Sequence, residues 1–420
     1  MNKCKPVLAI LAMLFPLLAA KAQDVSPYSM YGYGILGDRA TSMQRQMGGV
    51  GYAMNSGRQI NVMNPASYAA IDSLTFLFDL GADMSAIWSK EGSAKERSWG
   101  GGLDYVTMQF PICKYMGGSV GMLPYSSVGY AFGNEIQHGT SENQGSGGIN
   151  EVYLGVSGKV KGFSVGVNVS YNFGNIVNDV FASPSGGTRT KFEHVMHIRD
   201  WNIVAGAQYT FHWNRFHKIV AGVTYSPKKS MLGKTWATIQ ETSQDTYPDT
   251  VAYMRMKGKY YMPHTVGAGV SYTYSKSSRL SVEFDFTWQG WEDCKYSALY
   301  SEKEPEKVVF EGMKFRNRTK YALGAEYVPK QRGNYGQRMN YRLGAYYCDD
   351  YLMIRGNGVR EYGISCGVGF PTPEGKTMVN LGVEWKHRSA SPQQLISENY
   401  LMVNLGVNFN EVWFFKRKIR

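Results

Sequence analysis

The sequence predicts an all-β fold: an antiparallel transmembrane β-barrel of about 14 strands with an amino-terminal luminal hatch. Apolar and polar residues alternate along residues 162–173, and the same alternation returns as far as residues 401–410. Because successive side chains of a strand point to opposite faces, each such segment is a strand with one apolar face. Repeated strands of this kind are typical of barrels in the bacterial outer membrane. A large soluble β-sandwich is the alternative that alternation alone leaves open.

The amino terminus has the features of a secretory signal peptide over residues 1–22. Lys3 and Lys5 precede an apolar stretch, and Ala20-Lys21-Ala22 fits the small-residue cleavage pattern. That stretch is too short for a membrane-spanning helix. The mean hydropathy of −0.32 is low for a membrane protein. It fits a barrel, in which only every second strand residue is apolar.

The formal net charge is +12. A secreted barrel makes nucleic acid an improbable partner, so anionic outer-membrane lipids are the expected counter-charge. The basic tail, residues 413–420, is expected at the periplasmic membrane surface. The cysteines beyond the signal match no zinc pattern, and the sequence names no disulfide pair among them: Cys113, Cys294, Cys348 and Cys366.

Alternation and turn signals divide the barrel region, residues 73–412, into strands. The long polar connections at 133–148, 229–250 and 293–306 are expected outside the cell, and the short one at 113–116 in the periplasm. The fourteen predicted strands are 73–88, 101–112, 117–132, 150–159, 162–176, 190–213, 217–230, 251–275, 279–292, 307–329, 338–350, 359–370, 376–388 and 396–412.

Residues 23–72 do not alternate and precede the first strand. A barrel of this size has a lumen wider than its wall side chains can fill, so we expect this segment to be a hatch inside it. Glycines recur on the lumen-facing side of many strands. They allow either close approach of the hatch backbone or relief of curvature strain in the closed sheet: Gly155, Gly166, Gly206, Gly222, Gly269, Gly324, Gly344, Gly382 and Gly406.

Two motifs in this segment carry a resemblance to a known family. Met47-Gly48-Gly49, followed by Asn64-Pro65-Ala66 ahead of fourteen strands, resembles the long-chain fatty-acid transporter family of outer-membrane proteins (FadL type). The resemblance implies a hatch that plugs the barrel, and hydrophobic substrates that leave sideways at a kink in the third strand. The opening residues 26–34 are more similar to barrels of Bacteroidetes-type bacteria, where barrels of this shape also serve a protein-secretion system.

The third predicted strand contains Pro124, in Gly121-Met122-Leu123-Pro124-Tyr125. Proline cannot donate a ladder hydrogen bond and belongs at edges or bulges, whereas a closed barrel has no edge. A local break or kink near Pro124 therefore follows. Because the resembled family has its lateral gap in this strand, the resemblance implies a lateral gap around Gly121, Pro124 and Tyr125. A bulge without an opening is the alternative.

Charged residues are predicted to face the lumen from several strands. Opposite charges on a polar barrel face commonly pair across the pore or hold a plug, so this interpretation is preferred over acid–base catalysis. No nucleophile elbow, phosphate loop or metal-spaced histidine cluster occurs, so no enzyme activity, cofactor or metal is predicted. The candidates are Glu283, Asp285, Glu326, Arg342, Glu384 and Lys386.

Two functional hypotheses follow. The first is passive uptake of hydrophobic or amphipathic small molecules, with such a molecule as ligand. The alternative is a non-transporting outer-membrane scaffold or secretion-system partner, which binds an outer-membrane or secreted protein. An apolar pocket between hatch and wall would favour uptake, and a lumen filled by charged pairs would favour the scaffold.

Overall fold

The computed structural model describes residues 26–136, 139–185, 187–242, 249–372 and 377–412. The predicted signal peptide and the basic tail at 413–420 lie outside the described residues. Strand β1 (Ile35–Leu36) belongs to the amino-terminal segment. The fourteen barrel strands are β2 (Thr75–Glu91), β3 (Ala94–Cys113), β4 (Met116–Ile136), β5 (Gly139–Val160), β6 (Phe163–Pro184), β7 (Arg189–Asn214), β8 (His217–Ser226), β13 (Thr265–Ser275), β14 (Arg279–Gln289), β17 (Arg318–Val328), β18 (Asn340–Ile354), β19 (Asn357–Pro371), β20 (Met378–Ser391) and β21 (Ser397–Val412).

These strands form one closed antiparallel ring in chain order. Each pairs with the next, and the last strand returns to the first: β21 pairs with β2 from Thr75 opposite Val412 to Lys90 opposite Ser397. Closure gives every strand of the ring a neighbour on both sides along at least part of its length, which is the general solution for a sheet in lipid. The predicted all-β antiparallel barrel of fourteen strands is confirmed, and the chain is a barrel of the bacterial outer membrane.

The two faces of the wall follow the predicted alternation. In β6, Val165 and Val167 are exposed on the outside, whereas Ser164, Asn168 and Ser170 are buried on the inside. An apolar exterior of this kind suits contact with lipid. Among the described residues, no helix has the length and apolar character needed to cross a membrane.

The remaining strands are not part of the ring of fourteen. They are β9 (Lys229–Ser230), β10 (Gly233–Thr242), β11 (Asp249–Lys257), β12 (Tyr261–Met262), β15 (Leu299–Ser301) and β16 (Val308–Phe310). The short helices are α1 (Ser42–Arg45) and α2 (Tyr335–Arg338), with 3₁₀ turns at Pro27–Met30 and Pro65–Ala70.

Three predicted strands and three predicted loops are wrong in detail. Residues 217–230 form two strands, β8 and β9, and the predicted loop 293–306 contains β15. Residues 251–275 form three strands, because Gly258 and Pro263 interrupt the ladder. Residues 307–329 likewise form two strands, β16 and β17. The predicted loop 229–250 contains β10, which pairs with β7, and most of 133–148 is the paired outer end of β4 and β5. Strand ribbons therefore replace much of the expected loop at this rim.

The connections assign the two rims. Residues 114–115, 161–162 and 215–216 join strands tightly at one rim, whereas long ribbons project from the other. Short turns face the periplasm in outer-membrane barrels and longer connections face outside. We call these the periplasmic rim and the outer rim.

Candidate functional site

Residues 26–72, which we call the luminal segment, pack against the inward face of the wall. A Cβ added to Gly344 would lie 2.0 Å from the Gly48 nitrogen, and one added to Gly222 would lie 1.9 Å from the Tyr52 carbonyl oxygen. Only glycine fits at such distances, so close approach accounts for these residues. An atom of the luminal segment lies within 3.0 Å of the Cβ position at each of Gly155, Gly166, Gly206, Gly222, Gly269, Gly324, Gly344, Gly382 and Gly406.

The Met47-Gly48-Gly49 motif forms a tight turn against β18 and β19. Gly48 and Gly49 have φ values of +73° and +79°, a left-handed conformation that glycine adopts without a steric penalty. The Gly48 N–H donates to Ser365 Oγ at 2.9 Å. Met47 is buried in an apolar cluster that includes Tyr346. The motif therefore fixes the luminal segment to one side of the wall.

The Asn64-Pro65-Ala66 motif contacts the opposite side. The Asn64 side-chain amide donates to the carbonyl oxygens of Tyr52 at 2.8 Å and Ala207 at 3.3 Å. Its Oδ1 accepts the Ala66 N–H at 3.1 Å and caps the 3₁₀ turn that begins at Pro65. Proline suits this first position because the turn leaves its nitrogen without a partner. The motif joins two parts of the luminal segment to β7.

Glu283 and Asp285 of β14 hold the backbone of the luminal segment. Asp285 Oδ2 accepts the N–H groups of Gly51 at 2.6 Å and Tyr52 at 2.9 Å. Glu283 Oε1 accepts the next N–H, that of Ala53, at 2.8 Å. These contacts give the two carboxylates an anchoring role.

Glu326 and Arg342 form a second anchor. Arg342 Nε donates to Glu326 Oε2 at 2.8 Å, and both side chains are buried. Arg342 Nη1 also donates to Gln46 Oε1 at 2.8 Å and to Asn380 Oδ1 at 2.7 Å. One guanidinium thus joins β17, β18 and β20 to the luminal segment.

Glu384 and Lys386 of β20 lie elsewhere in the lumen. Glu384 Oε1 accepts the Tyr346 hydroxyl at 2.9 Å. The Lys386 ammonium lies 4.4 Å from the centre of the Tyr400 ring. Both residues line a chamber beside the luminal segment. The predicted lumen charges therefore form two groups rather than one site: the anchoring residues of β14, β17 and β18, and the chamber-lining residues of β20.

Sequence reasoning missed the charges of the luminal segment itself. Three of these residues pair with a wall residue of opposite charge. The sequence signal for them was their presence in a segment rich in Gly, Met and Tyr. The pairs are Asp38 with Lys320 at 2.5 Å, Arg39 with Glu151 at 3.0 Å, and Arg45 with Asp104 at 2.6 Å.

The three candidate residues for a lateral gap lie where β3 and β4 separate. The ladder between these strands ends at Val106 opposite Met122, one pair beyond Gly121. The β4–β5 register shifts between Pro124 and Ser126, so Tyr125 is the extra residue of a bulge. The bulge and the separation occur together, and whether solutes pass here stays a prediction.

Beyond Met122, the luminal segment takes the place of β3 beside β4. Strand β1 pairs with Ser126 and Ser127, and the Gly37 N–H donates to the Tyr125 carbonyl oxygen at 2.8 Å. Across from it, Gly100–Leu103 of β3 pairs with β2. We call the region between Gly100–Leu103 and Pro124–Ser127 the lateral split.

A chamber of about 170 Å³ lies behind the lateral split and reaches both strands. A smaller one of about 100 Å³ shares Gly37, Asp38 and Arg318 with it. Burial raises the pKa of Asp38, but the charges of Lys320 and Arg318 outweigh burial and hold that pKa well below its usual range. The larger chamber is lined by charged groups of both signs, including Asp38, Arg45, Asp104, Arg318, Glu361, Glu384, Lys386 and Arg388.

Apolar side chains fill the lumen toward the outer rim. Tyr33 of the luminal segment packs against Trp291 with ring centres 5.6 Å apart, and Trp291 packs against Tyr351 at 4.6 Å. The Tyr351 hydroxyl donates to the Gly34 carbonyl oxygen at 2.6 Å. The apolar part of the lumen is therefore occupied by the protein's own rings.

Among the described residues, no group of three or more His, Cys, Asp or Glu side chains is placed to hold a metal ion. The thiols of Cys113, Cys294, Cys348 and Cys366 are free.

The chain resembles solved outer-membrane transporters in fold. A FadL homologue of Pseudomonas aeruginosa has 12% identity and a TM-score of 0.63, covering 90% of this chain and 99% of that chain. The P. putida toluene transporter TodX has 14% identity and a TM-score of 0.62, with 90% and 100% covered. The Ralstonia pickettii toluene transporter TbuX has 13% identity and a TM-score of 0.54, with 89% and 98% covered. At identities of 12–14%, these likenesses show the fold.

No curated protein matches the chain. A family model described as BamG matches residues 1–420, so the chain belongs to the BamG family. The resemblance to FadL-type proteins holds for the fold, whereas the family is a different one.

Proposed function

We propose that this member of the BamG family is a closed outer-membrane scaffold that binds an edge strand of another outer-membrane protein at the lateral split. The observation that carries the proposal is the backbone of β3 at Gly100–Leu103. It pairs with β2 on one side, while the ladder to β4 has already ended. On the opposite side of the split, β4 pairs with β1, so the two sides of the split differ in their backbone pairing.

The position of the β3 edge within the membrane supports a protein partner. Trp99 and Leu103 flank the glycines of β3 and are 56% and 48% exposed on the outside. Tryptophan is enriched at the membrane interface, so the edge lies in the outer half of the bilayer. Lipid cannot hydrogen-bond a strand edge, and open edges do not face hydrocarbon. A strand of another protein supplies the missing donors and acceptors.

The contents of the lumen support a scaffold rather than a passage. Ion pairs with the wall and carboxylate–amide bonds fix the luminal segment, and aromatic rings fill the space toward the outer rim. The two chambers beside the lateral split, of about 170 and 100 Å³, are smaller than ligand pockets, which span roughly 300–1,000 Å³. Larger cavities of about 410 and 520 Å³ lie between the luminal segment and the wall, and both are lined in part by the charged side chains of Arg58 and Arg279. Charged side chains line these cavities, and such a lining disfavours a hydrocarbon ligand.

Site-specific photocrosslinking in living cells tests the proposal. A photoreactive residue at Leu103 should give one discrete adduct with another outer-membrane protein, and crosslinked peptides should map to a strand of that partner. Phe284 of β14 is the matched control, since it is lipid-facing, 49% exposed and on the far side of the ring. The same adducts from both positions, or none from Leu103, would contradict the proposal.

Passive uptake of hydrophobic molecules is the second candidate, favoured by the bulge at Pro124 beside the split and by the fold shared with toluene transporters. In this case solutes pass between the outside and the bilayer through the lateral split. Toluene uptake into vesicles with and without the purified barrel separates the two candidates. Uptake above the protein-free rate would support the second candidate and contradict a closed scaffold.

A further inference from the structure

Five positive side chains lie together on the outward face of the wall near the outer rim. We call them the basic face: Arg199 of β7, Lys234 of β10, Arg255 and Lys257 of β11, and Lys259 just after β11. All five are exposed. Within the described residues, none of them forms an ion pair.

Strand register brings these residues to one face. Lys234 lies opposite His197 of β7, and Arg255 lies opposite Trp236 of β10. His197 and Trp236 are in ring contact, with centres 6.4 Å apart. Because side chains two residues apart share a face, Lys257 joins Arg255 there. The basic face is thus built on paired strands rather than on a loop.

The basic face lies immediately outward of lipid-exposed residues. Trp201 follows Arg199 by two residues on the same face of β7 and is 58% exposed. Leu232 is 63% exposed, and its carbonyl oxygen accepts the Arg199 N–H at 3.2 Å. An exposed tryptophan at this level marks the boundary between hydrocarbon and head groups. The positive charges therefore lie at the level of the outer head groups.

A cavity of about 550 Å³ opens beside four of the five residues. Lys234, Arg255, Lys257 and Lys259 line it, and Glu302 is the carboxylate among its lining residues. The Glu302 N–H is bonded to the Arg255 carbonyl oxygen at 2.8 Å. Four positive groups against one negative group leave the cavity with an excess of positive charge, which calls for an anionic ligand.

We propose that the basic face binds the phosphate groups of a phosphorylated glycolipid of the outer leaflet. Lysine and arginine are the side chains that recognise phosphate, and a polyanion would offset the repulsion among four positive charges that have one carboxylate beside them. The neighbouring Trp201 and Leu232 contact the acyl region of the same lipid. A lipid is favoured over a soluble anion because charge and apolar surface adjoin at membrane depth. The inference does not depend on the function proposed above.

Lipid retention by matched variants tests this proposal. The basic-face variant carries Lys234→Gln, Arg255→Gln, Lys257→Gln and Lys259→Gln. The control carries Lys114→Gln, Lys161→Gln, Arg215→Gln and Lys276→Gln, which removes four exposed positive charges at the periplasmic rim. Each protein is purified from outer membranes, and native mass spectrometry measures bound lipopolysaccharide. Heat-dependent mobility on gels confirms that each barrel is folded.

We expect the basic-face variant to retain at least about tenfold less lipopolysaccharide than the control, because each lost positive charge weakens binding to an anionic lipid surface. In nanodiscs, wild type should prefer lipid A with its phosphates over the dephosphorylated form, and the basic-face variant should lose that preference. Equal retention by the two variants would overturn the proposal. A wild-type protein that does not distinguish the two forms of lipid A would overturn it as well.

Discussion

The Arg342 network permits a quantitative prediction about how the luminal segment stabilises the barrel. Arg342→Met keeps much of the side-chain volume and removes the guanidinium that joins Glu326, Gln46 and Asn380. The Arg342 side chain is 0% exposed, so water cannot replace these bonds. Removing one partner of a buried ion pair costs about 3–5 kcal/mol.

The remaining contacts of Glu326 place the expected loss of stability at the lower end of this range. Glu326 keeps Arg279 at 2.7 Å and Asn340 at 2.9 Å, so its charge is not left alone. We expect Arg342→Met to lower the free energy of unfolding by about 3 kcal/mol. Arg360→Met is the matched control, because Arg360 is 50% exposed and its ion pair with Asp349 spans 3.3 Å. Exposed pairs contribute at most about 1 kcal/mol.

Urea unfolding of barrels in lipid vesicles, followed by tryptophan fluorescence, measures both variants. The difference of about 2 kcal/mol between them corresponds to roughly a thirtyfold change in the folding equilibrium, at tenfold per 1.4 kcal/mol. The reasoning is refuted if Arg342→Met and Arg360→Met destabilise the barrel equally.

Further predictions concern the pore, the split, pH and topology. Deleting residues 23–72 should convert a closed barrel into a conducting one in planar bilayers, and unchanged conductance would place the segment outside the pore. If solutes use the lateral split, Pro124→Val should slow toluene uptake while leaving assembly intact, because valine can restore a ladder bond. The pKa of Asp38 is lowered, so its ion pair with Lys320 is fully present above the ordinary carboxyl pKa. The ion pair is lost only as the pH falls through the lowered pKa. Bilayer conductance should therefore stay low at pH 4 for wild type and rise for Asp38→Asn. Cysteine labelling on whole cells should reach residues 293–306 and miss 113–116, and the reverse pattern would invert the topology.

The sequence was informative wherever a local pattern decides structure. Alternation such as that of Val165 and Ser164 depends on one strand alone, so the fold and its strand number followed from it. The lumen-facing glycines were visible, but only the structure brings the Gly48 and Tyr52 backbones against them. Long-range pairing cannot be read from local patterns, and β10 was therefore missed as a partner of β7.

The candidate site was harder to predict because its chemistry arises from contacts between distant residues. Glu283 and Asp285 were expected in the lumen, yet three successive backbone N–H groups of the luminal segment are their partners. Pro124 indicated a break in the wall. The pairing of β1 with Ser126 and Ser127 depends on a segment about 90 residues earlier in the chain, and nothing near Pro124 signals it.

The luminal segment contacts residues on both sides of the lateral split. Strand β1 covers the β4 side of the split, and two residues later Asp38 binds Lys320 of the wall. Arg45, on the same segment, binds Asp104, which follows Leu103 on the β3 side. Any displacement of the segment therefore breaks contacts on both sides of the split. If a partner binds the β3 edge as proposed and thereby changes how firmly the luminal segment is held, linkage requires that coupling to act equally in both directions.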